Sequence, residues 1–181
     1  MGFEFQEGET LSGMVLVATP ELLDPNFNKT VVYIVEHGAA GALGMVMNRP
    51  LGKKLWEATK DADLPESLRE LPVFEGGPVK PTSLLFARFE RGDNDEEVRC
   101  EIVTDPTQLR ETAGVRAFAG YSGWAEGQLE RELTEKAWKV CRPHTALLEE
   151  PVPPALWPAF VGADQRWRKL QSKLPKNTGQ N

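Results

Sequence analysis

Short apolar runs closed by glycine or proline restrict the fold of this chain more than any other feature of its sequence. The densest run, residues 30–36, is Thr-Val-Val-Tyr-Ile-Val-Glu, and its β-branched and aromatic residues predict a strand. Residues 14–18 predict a shorter buried strand, which stops before Pro20 because proline has no backbone N–H to donate. Residues 44–48 follow a turn with three glycines and predict the partner of 30–36 in a hairpin-like unit.

The other predicted elements do not alternate regularly between strand and helix. Further strands are predicted at 83–89, 97–104, 115–121 and 136–141, and short helices at 51–60, 105–113, 127–135 and 154–161. This order favours an α+β fold with a mixed or mainly antiparallel sheet over a doubly wound fold. A length of 181 residues predicts one domain with at most a small appendage.

Composition excludes several classes of protein. The chain has 21 Lys and Arg against 27 Asp and Glu, a net charge of −6, which argues against a binder that covers nucleic acid with its whole surface. No apolar run approaches a membrane span, and the first residues do not resemble a secretory signal. Two cysteines make no disulfide framework, so we expect a soluble cytoplasmic protein with reduced thiols.

The charge is unevenly distributed along the chain. Residues 165–181 hold five bases and no acids, so 1–164 hold 16 bases against 27 acids, a net charge of −11. Arg166, Arg168 and Lys169 flank Trp167, a pattern that nucleic acid or an acidic partner could use. A helix with one apolar stripe and solvated charges is the favoured alternative.

Residues 120–132 combine a glycine-rich turn with the start of the predicted helix 127–135. Free backbone N–H groups at such a point can hold an anion or a carbonyl, with Tyr121 and Trp124 as walls. The alternative is a strand-to-helix corner with Trp124 in the core. The glycine spacing matches neither a Walker A loop nor a dinucleotide fingerprint, so packing is favoured over a phosphate site.

Two side chains suggest a nucleophile. Ser122 lies in Gly-Tyr-Ser-Gly-Trp, which departs from the Gly-x-Ser-x-Gly elbow because the second glycine is misplaced. Cys141 is the other candidate, and either residue requires His37 or His144 as the base because the chain has no other histidine. Nothing in the sequence links these residues.

Metal ligation has little support. Cys141 and His144 are spaced i, i+3, and Cys100 and His37 could complete four ligands, but no second closely spaced pair exists. A buried free cysteine and a surface histidine are favoured instead, and we predict no metal and no cofactor.

Arg49, which follows the glycine turn, could clamp a carboxylate or phosphate, or could pair with a nearby acid and hold the turn.

Several motifs occur in one order along nearly the whole chain. They are Gly-x-x-Leu-Val-Ala-Thr-Pro at 13–20, Asp-Pro-Asn-Phe at 24–27, Val-Val-Tyr-Ile-Val-Glu-His at 31–37, Gly-Ala-Leu-Gly-Met-Val-Met-Asn-Arg-Pro at 41–50, Glu-Gly-Gly-Pro-Val at 75–79, Thr-Asp-Pro at 104–106 and the run at 120–130. In this order they resemble the YqgE/AlgH family of bacterial proteins. The resemblance covers about residues 8–164 and divides the chain into a domain, 1–164, and a basic tail, 165–181.

The resemblance implies a single compact α+β domain with a bifurcated, partly barrel-like mixed sheet surrounded by short helices. Family members are labelled transcriptional regulators, but this sequence has no helix-turn-helix, zinc-finger or ribbon-helix signature. The family has no established catalytic residues to carry over. Members often have a histidine where this chain has Ala87, so no role of that imidazole applies here.

The leading hypothesis is a non-enzymatic cytoplasmic binding or regulatory protein whose partner is a small ligand or another protein. Its groove would form where three polar, glycine-rich segments converge, because such segments more often serve a site than a core. The candidate residues are Asn48, Arg49, Gly76, Gly77, Pro78, Gly120, Tyr121, Ser122, Gly123, Trp124 and Gln128. The alternatives are a hydrolase that uses Ser122 or Cys141, and a transcriptional regulator that contacts nucleic acid through the tail.

Overall fold

The computed structural model describes residues 8–60, 64–94 and 97–162, and these form a nine-stranded mixed sheet. The strands are β1 (Val15–Ala18), β2 (Val31–Gly38), β3 (Gly41–Val46), β4 (Pro50–Lys54), β5 (Pro72–Glu75), β6 (Val79–Arg91), β7 (Val98–Val103), β8 (Val115–Trp124) and β9 (Trp138–Cys141). Their order is β4-β5-β8-β3-β2-β1-β9, and β6 links β8 to β7. Only β5 and β8 pair in parallel among these strands.

The β-branched runs form the strands that they predict. The hairpin-like unit is confirmed, since β2 and β3 are antiparallel with Val32 opposite Val46. Gly44 lies within β3 and not in the turn. A Cβ at this position would stand 2.8 Å from Val32 Cγ1 and 2.9 Å from Tyr33 O. A glycine inside this strand therefore permits close packing against β2.

Strand β8 connects two halves of the sheet. Its residues Ala117–Ala119 pair with β5, whereas Ser122–Trp124 pair with β3, so the sheet divides within one strand. Gly120, with a φ of 71°, lies between the two pairings, a backbone conformation that favours glycine. The resulting sheet curls into a half-barrel, and the bifurcated α+β architecture implied by the resemblance is confirmed.

Three clusters of buried side chains fill the two sides of the sheet. In the first, the Phe89 ring makes edge contacts with both Tyr33 and Phe118, and the C-terminal segment adds Leu147 and Phe160. The second packs under helix α2 (Gln128–Thr134), and the third under helix α1 (Leu55–Ala58). Together they form one compact domain.

Three predicted elements are wrong in part. The helix expected over 51–60 is strand β4 followed by the single turn α1, because residues 50–54 pair with β5 and Gly52 adopts a φ of 66°. The glycine-rich turn expected from 120 is the end of β8. The helix over 105–113 shrinks to a 3-10 turn, Pro106–Gln108, with Asp105 capping Thr107.

Helix α2 confirms the prediction over 127–135, and residues 156–162 are helical as expected near 154–161. None of the described helices has the length and apolar character needed to cross a membrane. The predicted basic tail, 165–181, lies outside the described residues, so its expected boundary stays a prediction.

Candidate functional site

The structure places Gly76 and Gly77 directly against the division of β8. A Cβ on Gly76 would stand 2.2 Å from Gly120 O, and one on Gly77 would stand 2.3 Å from Tyr121 C. Gly76 N donates to Ala119 O, and Gly76 O accepts from Val46 N, so this residue joins both halves of the sheet. The two glycines are buried, which means that they bring backbones together and do not line an open groove.

Asn48 and Arg49 hold the loop before β2. Asn48 accepts from Val31 N and donates to Lys29 O, each at 2.9 Å. The Arg49 guanidinium donates to Asn26 O at 2.7 Å, to the carbonyl oxygens of Pro25 and Asn28 at 3.2 Å, and pairs with Glu75 at 3.3 Å. Of the two roles that the sequence left open, the structure shows the ion pair that fixes the turn.

Ser122 is fully buried, and its hydroxyl donates to Gly76 O at 3.1 Å. His37 lies on β2, which β3 separates from β8. His144 Nδ1 accepts from Ala146 N at 3.0 Å and caps the turn that follows. Neither imidazole is the hydrogen-bond partner of the Ser122 hydroxyl. That hydroxyl instead links β8 to the backbone of Gly76, at the point where the sheet divides.

His37 is engaged on both sides of its ring. Nδ1 accepts from Leu11 N at 3.1 Å, and Nε2 lies 2.9 Å from Glu130 Oε1. A nitrogen that accepts from a backbone N–H carries no proton, so the ring is the Nε2–H tautomer and donates to Glu130. Burial acts to raise the pKa of Glu130, but bonds from its own backbone and from His37 outweigh it, and the pKa lies below its ordinary value.

Neither Cys100 nor Cys141 forms a disulfide, and both pack against the first core cluster. Burial, with a smaller effect of the Glu101 charge, raises the pKa of Cys100 to about 12. Burial also raises the pKa of Tyr33 to about 12, and its hydroxyl donates to Val98 O at 2.9 Å. Within the described ranges, no group of three or more His, Cys, Asp or Glu side chains could hold a metal ion.

Trp124 and Gln128 belong to a polar clamp at the start of α2. Glu132 Oε2 accepts from the indole nitrogens of Trp124 at 2.9 Å and Trp138 at 2.8 Å. Gln128 donates to Glu132 Oε1 at 3.0 Å and accepts from Ala125 N. Trp124 is buried in the second core cluster, which agrees with the corner that the sequence analysis favoured.

A partly exposed surface remains at the end of β8, formed by Leu43, Val79, Tyr121 and Gly123, which we call the Gly123 face. Tyr121 is opposite Val79, and Gly123 is opposite Leu43. Residues opposite one another, and residues two apart in a strand, share a side of the sheet, so all four present one surface. Leu43 and Val79 were missing from the sequence-based candidates, since only the strand register places them here.

Arg116 is the polar residue that the sequence analysis missed. It is 4% exposed, and its guanidinium lies 4.9 Å from the centre of the Phe74 ring. It donates to Leu147 O at 2.7 Å and Glu149 O at 3.1 Å, and pairs with Glu150 at 3.0 Å. Burial lowers its pKa, against the opposing effect of Glu150. The signal in the sequence is a lone cation inside the apolar run of β8.

These features define a class of α+β protein in which a half-barrel sheet divides at one strand. The chain belongs to the AlgH-like family, whose pattern it matches over residues 15–166. It is 37% identical to a UPF0301 protein of Streptomyces coelicolor over 166 residues, which covers 83% of this chain and 85% of the relative. It is 34% identical to the UPF0301 protein AlgH of Pseudomonas aeruginosa over 150 residues, with coverage of 74% and 77%.

Two solved structures share the fold. The solution structure of Pseudomonas aeruginosa AlgH matches with a TM-score of 0.65 and 28% identity, and covers 95% of this chain and 98% of that one. A Corynebacterium diphtheriae protein matches with a TM-score of 0.66 at 22% identity, with coverage of 88% and 90%. The second likeness concerns the fold alone.

Proposed function

We propose that this protein is a non-catalytic binding protein of the cytoplasm, whose partner contacts the Gly123 face. The observation that carries the proposal is the environment of Gly123. The three atoms nearest to a Cβ built there are Tyr121 Cε2 at 3.4 Å, Val79 Cγ2 at 3.5 Å and Tyr121 Cδ2 at 3.9 Å, which are ordinary van der Waals distances.

The neighbouring glycines give the contrast. Gly77 and Gly120 have positive φ values of 150° and 71°, and a Cβ on either would stand within 2.5 Å of backbone atoms. Gly123 has neither constraint, although glycine inside a strand costs roughly 0.5–1 kcal/mol relative to alanine. A strand glycine that the fold does not require marks a place where a ligand or another backbone approaches closely.

The engagement of the candidate nucleophiles and bases supports a role without catalysis. The Ser122 hydroxyl, the His37 ring and the His144 ring each make the hydrogen bonds that hold their own segment. For the hydrolase alternative at Ser122, the hydroxyl donates to the backbone oxygen of Gly76 and not to an imidazole.

The composition of the Gly123 face favours an apolar contact. Leu43 and Val79 supply aliphatic surface, and Tyr121 supplies a ring with one polar end, a combination enriched where proteins bind ligands or one another. The occupant is a small apolar or aromatic ligand, or an apolar side chain of a protein partner. The transcriptional-regulator alternative depends on the basic tail, which lies outside the described residues.

The test uses the matched pair Gly123→Ala and Gly38→Ala. Gly38 also lies in a strand with no positive φ, and a Cβ there meets nothing within 4 Å. The ¹⁵N-labelled full chain is titrated with nucleotides, common metabolites, short nucleic acids and the low-mass fraction of a bacterial extract. We expect a bound ligand to shift the amide resonances of Tyr121 and Gly123. Gly123→Ala should weaken the affinity at least about fivefold, because an added methyl group overpacks the contact.

A protein partner is tested by photo-crosslinking in bacterial cells, with the reactive residue at position 43 or, as the control, at position 149 on another part of the surface. Crosslinks from 43 that Gly123→Ala abolishes and Gly38→Ala retains support the proposal. Binding that maps to other residues, or that Gly123→Ala leaves unchanged, contradicts it.

A further inference from the structure

We propose a second interaction surface, the exposed edge of the sheet at β4, which binds an extended acidic segment of a partner protein that carries an apolar side chain. The β4 edge consists of Leu51, Lys53, Lys54 and Trp56. It is independent of the Gly123 face, because β4 is at one end of the strand order and pairs with β5 alone among the described strands.

The first observation is apolar exposure. All five residues of β4 are exposed. Only three large hydrophobic side chains of the described ranges are exposed, and two of them are Leu51 at 42% and Trp56 at 49%. Leu51 lies in β4 and Trp56 in the helical turn α1 that follows it, and exposed aromatic residues are enriched in protein interfaces.

The second observation is local charge. Residues 49–56 contain three bases and no acid, in a segment 1–164 whose net charge is −11. Arg49 is paired with Glu75, so Lys53 and Lys54 are the cations that remain. Neither ammonium forms an ion pair within the described part of the chain. Carboxylates of a partner are the complementary groups.

The third observation concerns how the partner lies. Lysines on an edge strand ordinarily discourage pairing with other strands, but exposed Leu51 and Trp56 do not serve that purpose. Lys54 N is already bonded to Glu57 Oε2 at 2.8 Å, which closes that point of the edge to backbone pairing. The partner segment therefore contacts the side chains, with carboxylates on the lysines and an apolar residue against Leu51 and Trp56.

The charge of the protein favours a protein partner over nucleic acid at the β4 edge. A polyanion would be repelled by the acidic body at long range, and two free ammonium groups release too few counterions to offset that repulsion. A short peptide with a few carboxylates carries much less charge, and it gains from apolar contact at the same time.

The test is fluorescence polarisation of the full chain with three labelled probes: an octapeptide of Asp and Glu with a central Leu, the same peptide with Lys in place of the acids, and an oligouridylate. We expect the acidic peptide to bind, and the affinity to fall as salt rises. The double variant Lys53→Glu and Lys54→Glu should weaken it at least about tenfold, a loss of roughly 1.4 kcal/mol. Trp56→Ser should weaken it at least about threefold.

Leu23→Ser is the matched control, because Leu23 is 79% exposed on the loop before β2, and this variant should bind as the parent does. Circular dichroism checks that each variant is folded. Equal binding of the lysine peptide, preference for the oligouridylate, no binding of the acidic peptide, or indifference to Trp56→Ser would each overturn the proposal. So would gel filtration that shows self-association lost in Trp56→Ser, since the surface would then join copies of this chain.

Discussion

Replacement of Glu132 removes the acceptor of two buried indole N–H groups. Trp124 and Trp138 are 5% and 4% exposed, and both donate to Glu132 Oε2. Their rings are also in edge contact, with centres 6.0 Å apart, so neither can turn toward solvent without disturbing the other. The clamp joins the end of β8, helix α2 and β9.

The magnitude follows from this geometry. Each buried donor left without an acceptor costs roughly 1–3 kcal/mol, and Glu132 is itself partly exposed, so water can replace some of the loss. We expect Glu132→Ala to lower the free energy of unfolding by about 2–4 kcal/mol. Glu132→Gln keeps one oxygen for both indoles, but it replaces the charged acceptor and puts an NH2 group where Gln128 now donates, so we expect a smaller loss of about 1–2 kcal/mol.

The assay is equilibrium urea unfolding, followed by tryptophan fluorescence and by far-UV circular dichroism. Glu126→Ala, an exposed residue of the turn before α2, is the control and should stay within about 0.5 kcal/mol of the parent. If Glu132→Ala also stays within that range, or if Glu132→Gln costs as much as Glu132→Ala, the clamp does not act as described.

Three further outcomes are expected. Gly77→Ala should lower the free energy of unfolding by more than about 3 kcal/mol, measured by urea unfolding, because its Cβ would stand 2.3–2.5 Å from backbone atoms. Arg116→Met should cost about 2–4 kcal/mol in the same assay and speed amide exchange over residues 145–150, because two carbonyl oxygens lose their donor. In a Cys141→Ala background, Cys100 should react with iodoacetamide at pH 8 on the order of 10³-fold more slowly than free cysteine, because its raised pKa keeps the thiol protonated; a rate near that of free cysteine would contradict this.

The strands were predictable wherever β-branched residues dominate. Residues 30–36 and 97–104 form β2 and β7 close to their expected bounds, because stiff branched side chains favour the extended backbone and pack well on a half-buried sheet. The predicted helix at 51–60 is wrong over residues 51–54, because the helical spacing of Leu51, Leu55 and Ala58 does not outweigh pairing with β5, which the local sequence does not reveal.

The structure also differs from the prediction at three glycines. Gly76, Gly77 and Gly120 were expected to line a groove, but they allow two backbones to approach each other closely. Local sequence does not distinguish these uses, because the second backbone comes from elsewhere in the chain. For the same reason, the register of β3, β6 and β8 is needed to separate Gly123 from the neighbouring glycines.

The proposed binding role requires that the fold does not need a glycine at position 123 and that a partner contacts this residue. The unfolding free energy of Gly123→Ala in urea tests this most directly, alongside Gly38→Ala. The account predicts that Gly123→Ala equals or exceeds the parent by up to about 1 kcal/mol, since the strand gains from losing a glycine. A loss of more than about 1 kcal/mol would show that packing requires this glycine, and would remove the reason to place a binding site there.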